Sequence, residues 1–200
     1  MEHRKYMNAV RNGNINTVRR FLNEGVKVNE QWKYDENALT AAAFGGHHDI
    51  VKLLISKGAN IHKKDKRNMN PLMWASVGGN IKTVHALLNA GANINSKSKN
   101  GRTPLDFSII HGRQGVASLL LERGANIPKN LNTLEQKSYM SKNAIKIREL
   151  VRKKQKERAA RNLAMRQQLA GVMVQEGNRT VKGLPASVRN LIGKMIRKQS

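Results

Sequence analysis

The chain has no cysteine, which removes disulfides and thiolate metal sites from consideration. Aromatic residues make up only 4% of it, so a core must be built mostly from Leu, Ile, Val and Ala. Acid is scarce: 13 Asp plus Glu stand against 37 Lys plus Arg, a formal net charge of +24. A chain this basic repels itself and attracts anions, which points to nucleic acid, anionic lipid or acidic protein as partners. Long apolar runs are missing too. No stretch approaches the roughly 18 apolar residues needed to span a bilayer. The opening Met1-Glu2-His3-Arg4-Lys5-Tyr6 lacks the apolar segment of a secretory signal. The expectation is an intracellular protein, cytoplasmic or nuclear. Apolar residues at 39% suffice for a core, and 200 residues suit one domain with an appendage.

What the chain does have is self-similarity. Gly25, Gly58, Gly91 and Gly124 are each 33 residues apart, and so are Gly13, Gly46, Gly79 and Gly112. Two independent glycine ladders with one period mark an internal repeat. The contexts agree: Ile50-Val51-Lys52-Leu53-Leu54 leads to Gly58-Ala59-Asn60-Ile61, and Thr83-Val84-His85-Ala86-Leu87-Leu88 leads to Gly91-Ala92-Asn93-Ile94-Asn95. Val116-Ala117-Ser118-Leu119-Leu120 leads to Gly124-Ala125-Asn126-Ile127, and the first copy reads Thr17-Val18-Arg19-Arg20-Phe21-Leu22 before Gly25-Val26-Lys27-Val28-Asn29. Pro71 and Pro104 suit the first turn of a helix, where the missing N–H costs nothing. Glycine after each Leu-Leu pair suits a helix end with positive φ. Apolar residues at i, i+3 and i+4 give each helix one buried face. A pair of short helices cannot bury that face alone, whereas stacked copies can.

These motifs resemble the ankyrin repeat, with Pro71-Leu72 and Thr103-Pro104-Leu105 in the third and fourth copies and Leu39, Ala42-Ala43 and Gly46-His47 in the second. The resemblance covers about 130 residues. It implies an all-α solenoid of four helix-turn-helix repeats with short hairpin fingers, at residues 1–31, 32–64, 65–97 and 98–130. The first copy has a polar outer face and is read as the N-terminal cap. The family's motif histidine is replaced by Thr40, Met73 and Asp106, which implies less stable individual repeats.

The resemblance also implies a protein-binding module without catalytic activity or cofactor, whose concave face is formed by the fingers and the first helix of each pair. Matched position by position, the partner-contacting residues are Arg11 and Asn12 in the first copy and Lys33, Tyr34 and Phe44 in the second. They are Lys66, Arg67, Met69 and Val77 in the third and Lys99, Arg102, Ile110 and His111 in the fourth. This set is basic with apolar patches and predicts an acidic, partly apolar protein ligand; solvated loop lysines are the alternative. Trp74 falls where the family packs a leucine between helices and is assigned to the core. His47 matches the helix-junction histidine of the family, and the pair His47-His48 is given a structural rather than a metal-binding role. Asp65 is expected to bond its own turn. No nucleophile–base constellation and no Gly-rich phosphate loop stands out.

Residues 129–200 hold 18 Lys plus Arg against 4 Glu. Residues 131–151 are read as a degraded capping repeat, with a short helix over 133–140 and then Ile147, Leu150 and Val151 at helical spacing. Residues 152–200 are read as a basic helical tail. Its densest run, Arg152, Lys153, Lys154, Lys156 and Arg158, fits a solvated helix face, a nuclear-localisation element or a phosphate-backbone contact. The absence of interleaved aromatics argues against base stacking. Finally, Leu184-Pro185, Val188, Ile192 and Ile196 resemble the opening of an F-box-like motif, which large DNA viruses, poxviruses especially, place after ankyrin repeats to recruit a ubiquitin ligase. The alternative is a short amphipathic helix docked on the protein's own tail. Partner identity and oligomeric state stay open at this level.

Overall fold

A computed structural model describes residues 2–30, 37–127 and 142–175. The expected finger residues Lys33 and Tyr34, the short helix over 133–140 and the F-box-like segment 184–196 lie outside the described residues. The described residues contain nine helices: α1 (Glu2–Arg11), α2 (Ile15–Asn23), α3 (Ala38–Gly45), α4 (His48–Ser56), α5 (Pro71–Gly78), α6 (Ile81–Asn89), α7 (Pro104–Ile110), α8 (Gln114–Glu122) and α9 (Lys142–Gln175). They contain no strand, so the fingers between repeats are turns rather than sheet. The chain divides into two compact units, Met1–Gln155 and Lys156–Ser200.

Within the first unit the helices form two layers. Helices α1, α3, α5 and α7 stack side by side, and α2, α4, α6 and α8 stack behind them. The period seen in the sequence is the period of the core. Tyr6, Leu39, Leu72 and Leu105 occupy one 33-residue position and are all buried. Val18, Val51, Val84 and Ala117 occupy another, and Phe21, Leu54, Leu87 and Leu120 a third. Fully burying one such side chain is worth about 1.5–3 kcal/mol, so the layers are held by repetition rather than by one large cluster. Where the front helices approach most closely, side chains must be small. A β-carbon on Gly78 would overlap the Phe44 carbonyl oxygen of the preceding repeat.

Each helix end has a local cause. Asn14, Asn37, Asn70, Asn80 and Thr103 cap the N-termini of α2, α3, α5, α6 and α7 through side-chain oxygens. Such caps contribute about 1 kcal/mol each. Two of the three positions that lack the motif histidine are put to use here. Thr40 and Asp106 complete reciprocal capping boxes with Asn37 and Thr103, so those turns are braced by another chemistry. At the C-termini of the back helices, Val26, Ala59, Ala92 and Ala125 donate their N–H groups to Phe21, Leu54, Leu87 and Leu120. This is the Schellman arrangement, and the preceding glycine of the first ladder, Gly58 for instance at φ +82°, supplies the left-handed turn it needs.

Successive repeats are also tied by polar bonds. His47 Nε2 lies 2.7 Å from the Arg11 carbonyl oxygen, and Arg113 Nε donates to the Val77 carbonyl oxygen at 2.8 Å. Asn29 donates to the Gly58 carbonyl oxygen and accepts from the Asn60 N–H; Asn95 accepts from the Asn126 N–H. Ile147 and Val151 of α9 are fully buried in the same core, with Leu150 half-buried against it. Helix α9 continues without interruption across residue 152, where the sequence suggested a boundary.

Candidate partner-binding face

The two described fingers are built alike. In the first, the Asp65 N–H donates to the Met69 carbonyl oxygen and the Asn68 N–H to that of Asp65, with Asn68 at φ +61°. In the second, Ser98 and Arg102 close the same turn, and Gly101 takes the place of Asn68. Asp65 Oδ1 accepts from the N–H groups of Arg67 and Met69 at 2.9 and 2.8 Å. Ser98 Oγ does the equivalent for Arg102 at 3.2 Å. The fingers are joined by the Lys99 N–H to the Arg67 carbonyl oxygen at 2.9 Å and by Asn68 Nδ2 to the Lys97 carbonyl oxygen at 3.2 Å. The backbones carrying Lys66, Arg67, Lys99 and Arg102 are therefore held in register with each other.

Beside the first finger lies an apolar cleft of about 460 Å³, lined by Thr40, Ala41, Phe44, Asp65, Lys66, Arg67 and Trp74. Phe44 is 52% exposed and meets Trp74 edge to face, with ring centroids 5.6 Å apart and planes at 88°. Trp74 Nε1 donates to Asp65 Oδ2 at 3.0 Å. Trp74 thus packs half-buried against a core cluster, as expected, and also lines the cleft. An indole N–H needs an acceptor when it leaves water, and the finger carboxylate provides one at the surface, so the ring stays half-buried in the cleft wall.

Between the two fingers lies a second cleft of about 320 Å³, lined by Lys66, Arg67, Met69, Ser98, Lys99, Asn100, Arg102 and Phe107. No carboxylate is among the described residues lining it. The nearby acids are already engaged. Asp65 serves three donors within the first finger and its tryptophan. Asp106 is buried and accepts from the N–H and hydroxyl of Thr103. The remaining side-chain charge on these fingers is cationic. His111 records this field: burial, then Arg113 and Arg102, hold its imidazole below the ordinary histidine value.

The structure brings together most of the residues expected here. Phe44, Lys66, Arg67, Lys99 and His111 are exposed, Arg102 and Ile110 are half-buried, and Arg11 and Asn12 are exposed at the end of α1. Met69 and Val77 are not on the surface. Both are buried with Met73 and Phe107 in a separate small cluster packed against Trp74. Val77 supports the floor between the clefts instead of offering a contact, and Met69, though buried, still lines the inter-finger cleft, because the Phe107 ring of the next repeat packs with both. The missing surface residue was Trp74. Its signal was its pairing with an acid nine residues earlier, at the head of the finger. His47 is accounted for by its bond to Arg11, and no group of three metal-ligating side chains occurs among the described residues. On α9, Arg152, Lys153 and Lys156 are exposed and Lys154 and Arg158 half-buried. No described helix is long and apolar enough to cross a membrane.

Comparison with known proteins agrees with this architecture. No curated protein matches the chain. The family model described as "Ankyrin repeats (3 copies)" matches residues 6–98 and again 60–130, which together exceed half the chain. Ankyrin repeats are generally protein–protein interaction modules and typically non-catalytic. The chain belongs to the ankyrin-repeat family.

Proposed function

We propose that the face formed by the two described fingers and helices α3, α5 and α7 binds an acidic segment of a protein partner. The observation that carries this reading is the internal use of Asp65 and Asp106. With those carboxylates committed to turns and caps, Arg67, Lys99 and Arg102 present net positive charge beside an apolar slot. An acidic chain with one apolar anchor fits both. Each exposed ion pair contributes about 0–1 kcal/mol, so affinity comes mainly from the anchor and charge governs association rate and salt response. Arg11, Asn12, Ile110 and His111 extend the same face.

The test is affinity capture with nuclease-treated lysate at about 150 mM salt, comparing the full chain with the triple substitution Arg67→Glu, Lys99→Glu and Arg102→Glu. The reading requires a defined set of acidic proteins to be lost from the triple variant. An unchanged set would sink it.

A second reading, nucleic-acid binding, is favoured by the density of cations that α9 carries at Arg152, Lys153, Lys154, Lys156 and Arg158. It requires affinity for an oligonucleotide to fall steeply with salt as counterions are released. A flat salt response would exclude it.

A further inference from the structure

The apolar cleft and the inter-finger cleft share one wall. Lys66 and Arg67 line both, so the first finger is a low ridge with an aromatic slot on one side and a cationic cleft on the other. An extended ligand crossing this ridge would place neighbouring side chains into chemically opposite sites. Resting on the reading that this face binds an acidic protein segment, we propose that the inter-finger cleft is a phosphoryl-binding subsite and that the ligand is a phosphorylated peptide whose apolar residue enters the Phe44–Trp74 slot.

Charge favours a phosphoryl group over a carboxylate. Arg67, Lys99 and Arg102 line one cleft of about 320 Å³, and the Lys99 to Arg67 backbone bond holds their main chains together. Three cations lining one cleft repel one another, and a single carboxylate offsets one of them. A phosphoryl group carries about −1.5 to −2 charges at neutral pH and presents three acceptor oxygens. Two guanidinium groups provide planar forks that match such oxygens, and one ammonium adds a point charge. Asp65 and the Ser98 hydroxyl serve their own turns and do not compete for these cations.

The slot favours a peptide over a nucleic acid. Single-strand binders use a series of aromatic platforms along a basic track. Here the described clefts offer one edge-to-face aromatic pair, walled by Thr40 and Ala41, which suits one side chain.

The test uses the full chain, immobilised, and three degenerate peptide pools identical except for a fixed central residue: phosphoserine, serine or glutamate. The proposal expects the phosphoserine pool to be retained about tenfold over the serine pool, with glutamate between. Sequencing the retained pool should show large apolar residues enriched at one fixed offset from the phosphoserine. Arg67→Ala with Arg102→Ala should abolish the phosphoserine preference and keep the apolar enrichment. Phe44→Ala, at an exposed side chain, should do the reverse. In the wild type, binding should also raise the His111 titration seen by NMR, because an anion on Arg102 offsets the field that depresses it. Equal retention of the glutamate and phosphoserine pools, both above serine, overturns the phosphoryl subsite and leaves the acidic-partner reading standing. Equal retention of all three, insensitive to the charge substitutions, overturns both. Displacement of the retained pool by an equimolar oligothymidylate overturns the peptide assignment.

Discussion

The indole N–H of Trp74 donates to the same carboxylate, Asp65, that closes the finger preceding it. One side chain thus sets both the shape of a loop and the orientation of an aromatic wall. Asp65→Ala removes the acceptor for two backbone N–H groups and one indole. Bonds to a charged acceptor are worth about 1.5–3 kcal/mol each, and unsatisfied donors near the surface recover part of that in water. The expected net loss is about 2 kcal/mol in urea unfolding, together with a change in tryptophan emission. A variant with unchanged stability and emission would show that the finger closes without Asp65.

The polar rungs between repeats are incomplete. Asn29 and Asn95 each bridge to the next copy, and the position midway between them in the 33-residue register is His62. His62→Asn should install the missing rung toward the Asn93 backbone. One net hydrogen bond contributes about 0.5–1.5 kcal/mol. The expected result is a raised melting temperature. If it falls or does not move, the rungs are a by-product of stacking rather than a source of stability.

Ile147 and Val151 bury two side chains of α9 in the solenoid core. Ile147→Ala should cost about 2–5 kcal/mol, the range for a large-to-small change at a buried isoleucine. Leu163→Ala, at an exposed position of the same helix, should cost far less. Chemical denaturation of both variants separates docking of α9 from mere helix formation: equal losses would show that α9 does not dock on the core.

Protonation of His111 works against folding. Its folded-state value is depressed by burial, Arg113 and Arg102, so the unfolded chain binds the proton more readily. Its contribution is fully present above the ordinary histidine value near 6.5 and is lost as pH falls through the depressed one. An acidic ligand reverses the sign for binding, which should tighten over that same fall in pH. Arg113→Gln should raise the His111 titration measured by NMR. An unmoved titration would show that Arg113 does not set it.

Much of this molecule could be read from residue spacing. The glycine ladders, the Leu and Val positions and the proline starts determine a stacked helical solenoid, because each is a local requirement of helix ends or of one buried face repeated every 33 residues. The sequence also placed the finger cations, since charged residues at turn tips have nowhere to go but outward. Burial at the face was decided only by tertiary structure. Phe44, Val77 and Ile110 share one register position, yet Phe44 is exposed, Val77 buried and Ile110 half-buried. Their fates depend on packing across repeats: Phe44 meets the Trp74 ring only edge to face and stays open to water, whereas Val77 is closed in with Met69, Met73 and Phe107. Spacing names the position of a side chain on its helix; the volume and hydrogen-bonding needs of side chains from the next repeat determine whether water still reaches it.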